Sequence, residues 1–218
     1  MKILHIITGL GDGGAELTLY KICKYDKSNK HIVISLKDKG KYYSLLNKLG
    51  IEVYCLNMNF FSIHKIFFLI KKIKILKPNI VQTWLVHADF LGGIAARLAG
   101  NKNIIWNVRY SNIEINKSKL STVLTIKMLS RLSYIVPLSI IIVSKRAKKI
   151  YEKKGYDIKK LKFIPNGYNL STLKINQAQK NLFYKKNNLK KKNTTNLLCC
   201  SIRPSERSFK FTKCTINN

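Results

Sequence analysis

The first residues able to do chemistry lie in a glycine-rich segment close to Met1. Thr8 is followed by Gly9, Gly11, Gly13 and Gly14, and then by Glu16. Glycine lets a backbone turn sharply and approach a ligand, and the amides of a helix that starts near Ala15 can meet an anion. The segment therefore suits phosphate or hydroxyl groups, although a tight strand-to-helix turn without a ligand explains it equally well. Glu16 fits the first helical turn on dipole grounds alone.

Further candidates follow later apolar runs. His87 could bind a substrate hydroxyl or cap the helix that we expect to begin near Asp89, and a lone histidine favours the structural role. Asp89 suits the N-cap position itself. Arg109 could supply a fixed cation beside a phosphate, or serve as a structural ion-pair partner.

Two common kinds of site are not predicted. The glycine spacing does not fit the dinucleotide fingerprint G-x-G-x-x-G, and Ser35-Leu36-Lys37 stands where an acidic residue would hold a ribose. The five cysteines are odd in number and lack the paired spacing of a zinc site, so they read as reduced, incidental thiols. We therefore expect neither a metal nor a cofactor.

Short β-branched runs alternate with longer amphipathic stretches along the chain. This alternation is typical of an α/β fold, a Rossmann-like, doubly wound parallel sheet with helices on both faces. We predict strands at Lys2–Thr8, His31–Leu36, Ile51–Leu56, Asn79–Thr83, Ile104–Val108, Ile140–Val143 and Lys162–Ile164. We predict helices near Ala15–Lys24, Tyr42–Leu49, Ser62–Leu76, Asp89–Ala99, Leu120–Leu132 and Arg146–Lys154. Ligands of such sheets bind beyond the carboxyl ends of the strands, so the loops there carry the function.

The chain is strongly basic, with 41 Lys and Arg against 10 Asp and Glu and a formal charge of +31. This charge favours anionic partners, but no groove-reading helix or aromatic RNA-binding motif is present, so no specific nucleic acid is predicted. The segment Ser62–Leu76 has apolar residues at helical spacing and lysines on another face. It could lie on an anionic bilayer, or cover the sheet with its lysines in solvent.

The beginning of the chain and its apolar runs bear on location. Met1 leads directly into a strand-like run that is too short for a signal peptide. The longest uncharged apolar run, Leu132–Ser144, contains Pro137 and is shorter than the ~20 residues of a membrane span. We expect a cytoplasmic protein, with peripheral contact at the inner face of the plasma membrane as an option.

An ordered series of motifs resembles the amino-terminal domain of the family-4, or group 1, retaining glycosyltransferases. The series contains Gly13-Gly14-Ala15-Glu16, Pro78–Trp84 followed by His87-Ala88-Asp89, Val108-Arg109-Tyr110-Ser111, Ile141–Ser144, and Phe163-Ile164-Pro165-Asn166-Gly167. The resemblance covers about residues 1–170. It implies the GT-B fold, in which two Rossmann-like domains face each other.

The resemblance also implies an activity, the transfer of a sugar with retention from a nucleotide-sugar donor to a glycan or lipid-linked acceptor in cell-surface polysaccharide synthesis. It assigns Arg109 and Tyr110 to the catalytic loop. It assigns substrate binding to Gly13, Gly14, Glu16, His87 and Asn166. The family pattern has a histidine where Tyr110 stands, and tyrosine, with an unperturbed pKa of about 10, cannot shuttle a proton at neutral pH.

The last part of the sequence differs in texture. We predict an acceptor-side domain at 1–170, and at 171–218 a poorly ordered linker leading to the degenerate start of a donor-binding domain. The segment Leu197–Arg207 faintly resembles the opening of that domain, while its pair of glutamates is absent. Two alternatives therefore stay open, a truncated non-catalytic remnant of such an enzyme and a basic protein that binds anions or membrane surfaces.

Overall fold

The computed structural model describes residues 1–37, 39–58, 63–109 and 120–167, together with Leu182. Residues Met1–Gly167 form one compact unit. Its strands are β1 Lys2–Ile7, β2 Lys30–Ser35, β3 Glu52–Cys55, β4 Ile80–Trp84, β5 Ile104–Val108, β6 Ser139–Ile142 and β7 Leu161–Phe163. Its α-helices are α1 Gly14–Tyr25, α2 Lys41–Lys48, α3 Ile63–Leu76, α4 Val86–Leu98, α5 Leu120–Leu132 and α6 Lys145–Lys153. A short 3-10 helix at Ile158–Lys160 precedes β7.

The seven strands form one parallel sheet in the order β3-β2-β1-β4-β5-β6-β7. The order reverses between β1 and β4, because the chain runs outward from β1 to β3 and then returns to the other side of β1. Such a reversal opens a crevice at the carboxyl ends of the two strands, where open α/β sheets bind their ligands. The loops after β1 and β4 lie at this crevice.

Side chains alternate between the two faces of the sheet, and each face has its own core. On one face, Leu19 and Cys23 of α1 and Leu46 of α2 pack with Val33 and Trp84. On the other face, residues of α3 to α6 pack against the remaining strand positions, with Leu4, Ile6 and Trp106 fully buried. The near-continuous apolar strands follow from this double coverage.

The predicted fold class is confirmed, and each strand and helix occurs within a few residues of its predicted bounds. One boundary differs by a full turn, since α4 begins at Val86 rather than near Asp89. Asp89 is therefore not an N-cap, and that expectation was wrong. The domain division at residue 170 stays a prediction. Within the described ranges, no helix is long and apolar enough to cross a bilayer.

Candidate functional site

The glycine turn after β1 is held in place by its neighbours. The backbone N–H of Lys37 donates to the carbonyl of Thr8 at 3.0 Å, and that of Tyr42 donates to the carbonyl of Leu10 at 3.0 Å. Leu10 is fully buried. Gly40 lies so close to the Leu10 carbonyl that a Cβ atom there would clash with the backbone. The turn is therefore a fixed structure, because the segments that precede α2 clamp it from one side.

The beginning of α1 presents backbone amides at the carboxyl edge of the sheet. Gly13 is the N-cap, with extended backbone and no side-chain cap. Gly14, the first helical residue, is exposed and has no heavy atom within 4 Å of its Cβ position. Glu16 folds its carboxylate back against Gly13. Backbone amides at a helix start favour an anion or hydroxyl oxygen, and the predicted substrate-binding role of Gly13 and Gly14 stays a prediction.

The junction between β4 and α4 forms the other side of the crevice. Its N-cap, Leu85, has φ 73° and ψ 156°, a conformation that residues other than glycine rarely adopt. His87 follows in the first turn of α4 with an exposed side chain. Neighbouring protein removes water from part of its ring, and this desolvation, together with the positive charge of Lys37, lowers the pKa of His87. His87 is therefore neutral at physiological pH and able to exchange hydrogen bonds with a ligand.

Asp89 is buried beneath α4 rather than placed at its end. Its Oδ1 accepts a hydrogen bond of 2.6 Å from the Thr83 hydroxyl of β4. Burial raises the pKa of Asp89 well above its usual value. The hydrogen bond holds the first turn of α4 against β4, and this contact fixes the position of His87 in the same turn. Asp89 itself has almost no contact with solvent.

Arg109, at the end of β5, reaches across the carboxyl edge. Its Nη1 donates to Oδ1 of Asn166, and its guanidinium carbon lies 5.1 Å from the ring centre of Trp84. Trp84 itself is fully buried. The cation is thus held by an amide on one side and an aromatic face on another. The other predicted catalytic residue, Tyr110, lies outside the described residues.

The predicted site residues form three local groups along one edge. The Glu16 carboxylate contacts Gly13, the positive charge of Lys37 lowers the pKa of His87, and Arg109 donates a hydrogen bond to Asn166. The shared carboxyl edge of β1, β4, β5 and β7 unites them. Sequence reasoning missed Lys37 as a site residue. Its aliphatic chain lies 3.6 Å from the Cβ position of Gly9, which connects the glycine turn with His87. Its place two residues after the end of β2, at the ligand-binding edge of the sheet, could have indicated this position from the sequence.

Comparisons with known proteins support the same architecture. HepE of Anabaena, solved in complex with UDP, is 18% identical with a TM-score of 0.70, and the match covers 86% of this chain and 50% of HepE. A glycosyltransferase from Rickettsia africae is 18% identical with a TM-score of 0.62 and coverages of 88% and 50%. A UDP-N-acetylglucosamine 2-epimerase from Rickettsia bellii is 17% identical with a TM-score of 0.51 and coverages of 87% and 52%.

The chain has the fold of one Rossmann-like half of a GT-B glycosyltransferase. It spans about half the length of the proteins that it resembles. No family model matches it. No curated protein matches it in sequence. The same fold occurs in transferases and in an epimerase, so the fold alone does not define the reaction.

Proposed function

We propose that this domain is the acceptor-side half of a glycosyltransferase that uses a nucleotide-sugar donor. The single observation that carries the proposal is the crevice between β1 and β4, which has the α1 amides at Gly13 and Gly14 on one side and the exposed side chain of His87 on the other. The complexes of HepE with UDP and with UDP-glucose support a nucleotide sugar as the partner.

The chemistry of sugar transfer fits these groups. Departure of a nucleoside diphosphate builds negative charge on phosphate oxygens, so a transferase places amide donors and cations near them. The amides at Gly14 can serve as donors, and the ammonium of Lys37 and the guanidinium of Arg109 can offset the charge. His87 can accept a hydrogen bond from an acceptor hydroxyl. No step in this scheme requires a metal.

The finer assignment is part of the same proposal. Transfer proceeds with retention, as in the family-4 enzymes, onto a glycan or lipid-linked acceptor of cell-surface polysaccharide synthesis on the cytoplasmic side of the membrane. Tyr110 then contributes hydrogen bonding rather than proton transfer, because a phenol does not ionise near neutral pH.

Binding and turnover test this proposal directly. The whole 218-residue chain should bind UDP-glucose or a related nucleotide sugar with a Kd on the order of 1 mM, about −4 kcal/mol, measured by saturation-transfer NMR. Gly14→Val adds a branched side chain at the exposed first residue of α1 and should weaken binding at least ~10-fold. Gly167→Ala, which is also in open space, should leave binding unchanged.

Each outcome distinguishes the candidate functions. Transfer that keeps the donor's anomeric configuration supports a retaining transferase. Binding without donor hydrolysis or transfer, by a chain extended with a donor-binding domain, supports the non-catalytic remnant. A folded chain that binds none of the UDP, GDP and dTDP sugars would overturn the proposal.

One surface favours membrane contact as an additional role. The outward side of α3 exposes Phe67, Phe68 and Ile75, which are 69%, 52% and 64% accessible, beside the exposed Lys71 and Lys74. Leu69 and Ile73 on the opposite side are buried in the core, as a sheet-covering helix requires. The outer side is thus aromatic as well as basic, a combination that suits the interface of an anionic bilayer.

Vesicle binding tests this surface. The chain should sediment with phosphatidylglycerol vesicles and far less with phosphatidylcholine vesicles. The double variant Phe67→Ser/Phe68→Ser should bind at least ~10-fold more weakly, because it loses apolar burial without any change in charge. Tyr25→Ser removes an equally exposed aromatic from α1 on the other face and should bind normally. Equal binding by both variants would show that net charge alone drives association.

A further inference from the structure

A cluster of metal-ligating side chains lies away from the crevice, in the core beneath α1. Among the residues that the structure describes, His5, Cys23 and His31 each offer a ligand atom within 4.8 Å of the other two, and all three are buried. His31 stands opposite Ile3 in the β1–β2 register, so it lies on the same sheet face as His5 two residues along. Cys23 reaches that face from the last part of α1.

The two imidazoles already face each other with nitrogen atoms. His5 Nε2 and His31 Nδ1 are 3.0 Å apart. Two nitrogens bound to one tetrahedral zinc at about 2.0–2.1 Å would be separated by about 3.4 Å. An ion therefore requires the rings to part by only a few tenths of an ångström, with the thiol as the next donor.

We infer that His5, Cys23 and His31 bind a borderline-soft divalent cation of the Zn²⁺ class, as a structural site that ties α1 to β1 and β2. Two imidazoles and one thiolate form a donor set that selects such ions over Mg²⁺ or Ca²⁺. Asp26 Oδ2 lies 3.3 Å from the outer nitrogen of His31, Nε2. A carboxylate behind a ligating histidine orients the ring and increases its basicity, as is usual around bound zinc.

The charges around the cluster are compatible with a divalent ion. Ser28 and Asn29 donate hydrogen bonds to the carboxylate of Asp26, which places a negative charge beside the site. One thiolate and this carboxylate together balance two positive charges. Cysteine binds zinc as the thiolate, so metal binding must release the Cys23 proton.

Metal binding also changes a neighbouring hydrogen bond. Trp84 Nε1 donates to His5 Nδ1 at 3.3 Å, which leaves the His5 proton on Nε2. Ligation through Nε2 moves that proton to Nδ1. The Trp84 N–H then loses its acceptor. The site thus has a spectroscopic marker of its own, since the indole emission should change when the ion binds.

Cobalt substitution tests the inference on the full chain. All variants carry serine at Cys199, Cys200 and Cys214, so that Cys23 and Cys55 are the remaining thiols. One equivalent of Co²⁺ should produce a thiolate-to-cobalt charge-transfer band and tetrahedral visible bands, and Zn²⁺ should displace it. Cys55→Ser, the matched control, should keep the band. Cys23→Ser should abolish it.

Two further variants keep the test decisive if Cys23→Ser does not fold. His31→Gln should weaken Co²⁺ binding by more than the ~10–100-fold that loss of an outer-sphere partner costs. Asp26→Asn should keep the charge-transfer band but weaken Co²⁺ binding by ~10–100-fold. This result would identify Asp26 as a positioning residue. A folded parent without a charge-transfer band, or a band that survives in Cys23→Ser, would overturn the inference.

Discussion

Arg109 at the end of β5 donates a hydrogen bond from Nη1 to Oδ1 of Asn166, which follows β7, so the two strand ends are joined across β6. Both side chains are half-buried. We expect Arg109→Ala and Asn166→Ala each to destabilise the domain, with a coupling free energy of about 1 kcal/mol in a double-mutant cycle measured by urea unfolding.

The exposed pair Lys41 and Asp12 is the control for this cycle. Its atoms are 2.9 Å apart, yet its side chains are 57% and 68% accessible. The same measurement there should give a coupling of about 0–0.5 kcal/mol, because water screens the charges. Equal coupling in the two cycles would show that Asn166 does not hold Arg109.

The sequence predicted the helices and strands but not the contacts between them. Strand and helix positions follow from local periodicity, so β1 to β7 were found in order. The Arg109–Asn166 pair spans 57 residues, and no local spacing encodes it. The approach of His5 to His31 depends on the parallel register of β1 and β2. The succession of strand and helix signals along the chain does not fix that register.

The predicted start of α4 was wrong for a specific reason. Leu85 adopts a backbone conformation that favours glycine, and nothing in the residue type indicates that a helix begins directly after it. Aspartate is a common N-cap residue, but Asp89 is buried in the core and accepts a hydrogen bond from Thr83. It therefore anchors α4 to β4 instead of capping the helix. Tertiary packing therefore overrode a local capping signal.

The buried carboxyl of Asp89 should make stability depend on pH. Its folded-state pKa is raised, so its contribution is fully present below the unfolded value of about 3.8 and is lost as the pH rises through the folded pKa. Asp89→Asn cannot ionise and still offers an oxygen to Thr83. We expect the free energy of unfolding of the variant to rise relative to the parent by up to ~1.4 kcal/mol per pH unit between about pH 4 and the folded pKa of Asp89, and to stay level above it, measured by urea unfolding. Asp12→Asn controls for loss of a surface carboxylate, and a pH-independent difference for Asp89→Asn would contradict the assignment.

Leu85 should reveal backbone strain through a pair of substitutions. Leu85→Ala removes the side chain but keeps the φ of 73°, whereas Leu85→Gly also relieves the strain. Strain of ~1–3 kcal/mol against a glycine entropy cost of ~0.5–1 kcal/mol predicts that the glycine variant is the more stable of the two, by ~1 kcal/mol. At Leu98, the last residue of α4, the order should reverse. Thermal unfolding of the four variants decides the point.

Two glycines should separate packing from function. A Cβ at Gly92 would lie 2.8 Å from Ile6 Cγ2, in the buried contact between α4 and β1, while a Cβ at Gly14 meets nothing within 4 Å. Gly92→Ala should therefore cost ~1–3 kcal/mol of stability, because a β-branched core side chain cannot move aside. Gly14→Ala should leave stability unchanged or slightly increased, and should weaken nucleotide-sugar binding.

The Gly92 effect can be traced to its partner. Ile6→Ala alone should destabilise by ~2–5 kcal/mol through the cavity it creates. In the double variant Ile6→Ala/Gly92→Ala, the new methyl group occupies part of that cavity, so the combined loss should be smaller than the sum of the two single losses by ~1 kcal/mol or more. Strict additivity in urea unfolding would mean that the two residues do not contact each other, and that α4 is not seated on β1 through Gly92.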